Sequence, residues 1–154
     1  IRWRLASENY RKQLTSLTQL RAAIEPVAAG LAARQPEHEN LGVELLGLLP
    51  HANDEAGFVG ALERDIGFHC FILKRCGNEM MAALSHVVEQ VLRARHDLHL
   101  RPNRPHEVPV LLHTLVATAI RDGDAVTAES AMRHLVAEVI HDVQRTTAER
   151  VSEV

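Results

Sequence analysis

Between Glu63 and Asn78 the chain reads ERDIGFHCFILKRCGN, and this stretch sets the terms for the fold. Phe58, Leu62, Asp65, His69, Ile72 and Cys76 follow one another at steps of three and four residues, so on a helix all six share one face. An acid and an imidazole thus sit inside an apolar stripe. A buried charge needs a partner, so the elements packed around this helix must supply one. A carboxylate and a histidine one turn apart can hydrogen-bond each other, can rim the core on a rotated helix, or can present two ligands to a metal ion. Spacing alone leaves all three open.

The rest of the chain is helical in pattern too, and no strand-like alternation competes. From about Leu14 a long helix carries Leu14, Leu17, Arg21, Ile24, Ala28 and Leu31 in one stripe, widened by Leu20 and Val27, with Pro26 expected to kink or interrupt it. Arg21 breaks this apolar pattern and can snorkel or pair with Glu25 one turn on. A second, shorter helix starts at Pro36 and ends near Leu49-Pro50. Asn53 is placed to cap the third, with Asp54 and Glu55 in its first turn and Gly77-Asn78 at its end. A fourth buries Met80, Leu84, Val87, Val91 and Leu98. After the proline-rich loop Arg101 to Pro109 a fifth helix carries His113, Val116 and Ile120 on one face. Asp124 caps the sixth, whose apolar face is Ala128, Ala131, Met132, Leu135, Val139 and Val143. The expectation is therefore an all-α protein, an antiparallel bundle of about six helices.

Composition narrows the class further. With 154 residues the chain is long enough for a real core, and at 46% hydrophobic but 3% aromatic that core must be built from close-packed aliphatic helices. A net charge of -3 and the lack of any basic stripe interleaved with aromatics argue against direct nucleic-acid binding by this segment. Cys70 and Cys76 match no metal or redox spacing and read as reduced packing residues of a cytoplasmic protein. No apolar run approaches a membrane span.

Ten histidines are many for this length, yet most occupy loops or outer faces. His38, His51 and His106 fall in or near loops, His86 on an outer face, His96 and His99 in a charged helix end. His113 shares the core-facing side of its helix, as Asp65 and His69 do. His134 lies on a polar face with Thr127, Ser130, Glu138 and His141, so periodicity leaves it solvated unless that face lines an internal polar cavity.

Five short patterns then occur in a telling order. They are Leu20-Arg21 with Ile24-Glu25-Pro26 and the Ala-rich run to Ala33; Asp65 and His69 as D-x3-H, followed by Gly77-Asn78; His113 with Ala119-Ile120; Gly123-Asp124; and Ala131-Met132-Arg133-His134-Leu135. In this order, over roughly Leu14 to Val143, the chain resembles the C-terminal ligand-binding (FCD) domain of FadR-type GntR transcriptional regulators. The resemblance implies a helical bundle around an effector cavity, with a metal held by Asp65, His69, His113 and His134 and an effector met by Arg21 and Asn78. One oxygen and three nitrogen donors suit Zn²⁺ or Ni²⁺. A planar guanidinium suits a carboxylate, such as that of a sugar acid or hydroxy acid.

It further implies a homodimeric, cytoplasmic, non-enzymatic sensor. Residues 1–13, with Trp3, would be a lead-in segment after an N-terminal winged helix that this chain lacks, and 14–150 the effector-binding domain; DNA would be met only through that winged helix. Where such regulators often carry Glu before the histidine matching His113, this chain has Leu112. Two readings of other kinds stand beside this one. The His96-Asp97 and His141-Asp142 dipeptides suggest an HD-type metal phosphohydrolase. The four candidate ligands could also form a metal-free, hydrogen-bonded cluster in a small-molecule-binding domain.

Overall fold

The structure, a computed structural model, describes residues 10–49, 57–97 and 107–149, with side chains for 12–49, 60–97 and 110–137. The described residues form seven helices and no strand: α1 (Tyr10–Ala32), α2 (His38–Gly47), α3 (Gly57–Arg75), α4 (Glu79–Ala83), α5 (Ser85–Asp97), α6 (Glu107–Arg121) and α7 (Ala125–Glu149). The all-α expectation holds. The expected fourth helix is instead two, a single turn (α4) and α5, which meet at Leu84.

Three helix ends show why the chain turns where it does. Gly77 adopts φ +80°, a left-handed conformation that costs a glycine little, and ends α3. Asn78 then caps α4, its side chain accepting from the amides of Met80 and Met81 at 3.0 and 3.2 Å. Asp124 caps α7 through the Thr127 amide at 3.0 Å and the Thr127 hydroxyl at 2.6 Å.

The long helix α1 is the axis of the bundle. It packs most extensively on α7 and also on α3, α5 and α6, while α6 packs on both α7 and α2, and α3 packs on α5. The core between them is aliphatic: Ala28, Ala29, Leu41, Leu45, Ile72, Leu73, Val88, Val116, Ile120, Met132 and Val136 are essentially sealed from water. Small residues let the axes approach. A Cβ added at Gly42 would overlap the backbone and Cβ of Arg121, so α2 lies directly against the end of α6.

Several details differ from the periodicity reading. The helix α1 is already formed at Tyr10, before the expected Leu14, and it runs through Pro26 without interruption. Its inner line is Leu14, Thr18, Arg21, Glu25, Ala28 and Ala32, whereas Val27, expected to widen the apolar stripe, is 40% exposed. Met80, expected in the core, is 71% exposed, on a single-turn helix α4 that has no buried residue. The helix α6, Glu107–Arg121, includes Pro109, which was expected in the loop before it. Expectations about Trp3, Pro50, Asn53, Asp54, Glu55, Leu98 and the Arg101–His106 stretch lie outside the described residues, as do those about the side chains of Phe58, Val139 and Val143.

Candidate effector and metal site

The helix α1 carries Arg21 and Glu25 one turn apart, each only 1% exposed, in a line otherwise made of small and apolar side chains. Arg21 is among the largest fully buried side chains of the protein. Its Nε donates to Glu25 Oε1 at 2.5 Å and its Nη2 to Oε2 at 3.3 Å. The third nitrogen, Nη1, is buried and has no hydrogen-bond partner among the described residues.

Glu25 also faces α3. Its Oε2 lies 2.5 Å from His69 Nδ1, a nitrogen that is buried and makes no aligned hydrogen bond. The other ring nitrogen, Nε2, is 3.5 Å from Asp65 Oδ1, one turn back on α3. That same oxygen is 3.1 Å from His113 Nε2 on α6. A continuous chain of charged and polar groups thus runs Arg21, Glu25, His69, Asp65, His113 and ties together α1, α3 and α6. The ring of Phe68, itself buried, stands edge-on to both His69 and His113 with centroid distances of 5.7 and 4.8 Å, giving the cluster an apolar wall.

The electrostatics follow from burial opposed by pairing. Burial pushes the Glu25 carboxyl up, but the charges of Arg21 and His69 outweigh it and bring it down to about 2. Desolvation likewise works against ionised Asp65, and the hydrogen bonds of His113 and His69 overcome it, holding this carboxyl well below its usual range. For His69, burial and the Arg21 charge favour the neutral ring, while Glu25 and Asp65 favour the cation; the net effect is upward. Arg21 is raised, the Glu25 carboxylate outweighing its desolvation.

Asp65, His69 and His113 each offer a ligand atom, and these atoms lie within 4.8 Å of one another. Two donors bound to one ion at about 2.0–2.2 Å stand about 3–3.5 Å apart, and the Asp65 oxygen is 3.1 and 3.5 Å from the two imidazole nitrogens. One carboxylate and two imidazoles are also a recognised set for a divalent transition metal with open positions. The residues present therefore fit such an ion.

His134 does not join them. It is exposed, its Nδ1 lies 2.8 Å from the Ser130 carbonyl oxygen on its own helix, and the neighbouring Leu135 takes the inward position at 6% exposure. Successive residues on a helix point about 100° apart, so the turn of α7 that buries Leu135 directs His134 outward. This is the polar face on which periodicity set His134, and the convergent donors are those of Asp65, His69 and His113. Asn78 is likewise drawn into a structural task as the cap of α4. Glu25 is the residue that sequence reasoning left out of the site. The available signal was its place one turn beyond Arg21 on the inner line of α1. The His96-Asp97 pair lies at the end of α5 and is not part of the cluster, and the side chains of His141 and Asp142 lie outside the described residues.

Residues 16–138 match the family profile of the FCD domain. The chain belongs to the FCD family. Among solved structures, this FCD domain is similar to Streptococcus agalactiae GntR at 26% identity and a TM-score of 0.71, the match covering 88% of this chain and 61% of that one. The chain thus spans about three-fifths of the length of the regulator it matches. No curated protein matches it in sequence. The FCD domain is a regulatory module of GntR-type transcriptional regulators and not an enzyme family, which removes the phosphohydrolase reading. Among the described residues no helix is long and apolar enough to cross a membrane.

Proposed function

We infer that this domain senses a small carboxylate, a sugar acid or hydroxy acid, that meets Arg21 beside a divalent metal. The observation that carries this reading is Arg21 Nη1: a guanidinium donor sealed from water and left without an acceptor among the described residues, on a side chain linked through Glu25 to His69, one of three convergent metal-type donors. Unsatisfied buried donors are costly, and an incoming carboxylate oxygen would satisfy this one. Asp65, His69 and His113 are the residues that would hold the ion, with Zn²⁺ or Ni²⁺ suited to the donor set. The ion would supply Lewis-acid anchoring for the effector's oxygens. Arg21 would then fix the orientation of the carboxylate, and Phe68, edge-on to His69 and His113, walls the metal side with an apolar ring.

The wider role follows the regulator that the chain resembles. A homodimer of this domain, in the cytoplasm, would modulate DNA binding by N-terminal winged helices, contact with DNA being made only by them. Residues 1–13 would then be the lead-in from that part, with 14–150 as the sensing domain. Effector control requires that the ligand bind two dimer arrangements with different affinity.

A thermal-shift screen of sugar acids, hydroxy acids and dicarboxylates, with and without Zn²⁺, tests this reading. A true effector raises the melting temperature by binding only the folded state, and Arg21→Ala abolishes the shift. No response from any carboxylate, or an undiminished response in Arg21→Ala, would overturn it.

A further inference from the structure

We propose that Glu25 is a positioning residue for the metal subsite: it fixes which nitrogen of His69 faces Asp65 and His113. This rests on the reading above of those three residues as metal ligands. Nothing in the resemblance or in the comparisons gives Glu25 a role.

An imidazole has two distinct nitrogens. A metal ligand must present a bare lone pair, and a neutral ring has one such nitrogen while the other carries the proton. Which is which depends on the partner of the nitrogen turned away from the ion. In His69 that nitrogen is Nδ1, with Glu25 Oε2 at 2.5 Å. Two lone pairs facing each other at that distance would repel, so Nδ1 keeps its proton against Glu25, and Nε2, turned toward Asp65 and His113, is the nitrogen that would give up any proton to an ion. Burial sharpens the choice, because His69 is 3% exposed and no water can take the place of Glu25.

Arg21 makes Glu25 dependable in this task. The buried carboxylate would be costly to ionise alone, and the guanidinium engages it through both Nε and Nη2. The ion pair also restricts the carboxylate, since Oε1 accepts from Arg21 Nε while Oε2, held more loosely by Nη2 at 3.3 Å, is the oxygen turned to His69. The three residues thus form a relay of position from α1 to α3. Glu25 touches none of the proposed ligand positions itself and acts through His69.

Glu25→Gln is the informative substitution, because it keeps the shape and reverses the hydrogen-bonding sense. With its amide oxygen accepting from Arg21 Nε, its NH₂ group takes the place of Oε2, gives up the longer Nη2 contact and faces His69 Nδ1, where it demands a lone pair; that moves the proton to Nε2 and blocks the metal-facing side. Titration of the metal-free protein with Co²⁺, followed by its visible absorption, should show binding weakened by roughly 10- to 100-fold in Glu25→Gln, the range expected on loss of a histidine's outer partner. Glu25→Asp, which retains the acceptor, should recover part of the loss; circular dichroism verifies that each variant is folded. In the Zn²⁺-loaded wild type, two-bond ¹H–¹⁵N spectra should show His69 protonated at Nδ1 and bound through Nε2.

Equal Co²⁺ affinity in wild type and folded Glu25→Gln would overturn the role of Glu25 while leaving the metal site standing, and so would a His69 bound through Nδ1. Failure of the wild type to bind Co²⁺ or Zn²⁺ would overturn the metal site itself, and this role with it. Should Glu25→Gln not fold, the Glu25→Asp titration and the wild-type spectrum still decide the matter.

Discussion

The two faces of α3 hold similar charges in opposite circumstances. On the inner face, Asp65 and His69 join Arg21, Glu25 and His113 in a chain in which Arg21, Glu25 and His69 are nearly sealed from water. On the outer face, Glu63 forms a two-point pair with Arg93 of α5 at 2.7 and 3.1 Å, and Arg93 Nε reaches Glu89 at 3.0 Å. The outer pair has the better geometry of the two, yet its members are 38% and 51% exposed. Water already solvates those groups well, so joining them changes little. On the inner side Arg21, Glu25 and His69 have given up their water and depend on one another, while Asp65, at 35% exposure, keeps an edge open to solvent. Good pairing geometry therefore does not identify the site; desolvation does, because a fold keeps such a costly arrangement only where something else recovers the cost.

The largest test of this contrast removes the shared inner carboxylate. Glu25→Ala leaves Arg21 and His69 buried without their counter-charge and should cost roughly 3–5 kcal/mol in urea unfolding; a loss under about 1 kcal/mol would mean that water reaches the cluster. Acid should dissect the same region. The folded-state value of Glu25, about 2, lies below its ordinary value of 4.5, so its contribution to stability is complete above roughly pH 5 and is lost as the pH falls through the folded value. Unfolding measured between pH 6 and 2 should show this loss, and Glu25→Gln should flatten the profile. A metal adds to the inner face alone: at 100 times its dissociation constant Zn²⁺ should stabilise the protein by about 2.7 kcal/mol, reversed by a chelator and absent in His113→Ala. The smallest effect belongs to the outer face, where Arg93→Ala should leave the melting temperature nearly unchanged and any difference should vanish in high salt. A large, salt-resistant effect there would erase the distinction drawn between the two faces.

Local pattern was enough for the elements and for half of the site. Steps of three and four residues place Asp65, His69 and His113 on inner faces, and Gly77 and Asp124 mark a helix end and a helix start, because both signals act within a turn or two of chain. The same local logic directs His134 outward once Leu135 is taken as core, and the structure agrees with it. Val27 and Met80 read equally well as core, but both are exposed, since an apolar side chain cannot reveal whether a neighbouring helix arrives to cover it.

By itself, then, the sequence determined the helical class, most helix limits and the presence of an acid and imidazoles inside apolar stripes. Only the tertiary structure decided their partners. That Glu25 serves His69 across α1 and α3, that Asp65 Oδ1 is shared by two imidazoles from α3 and α6, and that Arg21 keeps one buried donor unspent all depend on how three helices are rotated about their axes. Those rotations are set by the fit of the whole aliphatic core. Periodicity gives each helix an inner side, but the atom that faces a given atom across the bundle is fixed only when every helix has been packed against its neighbours.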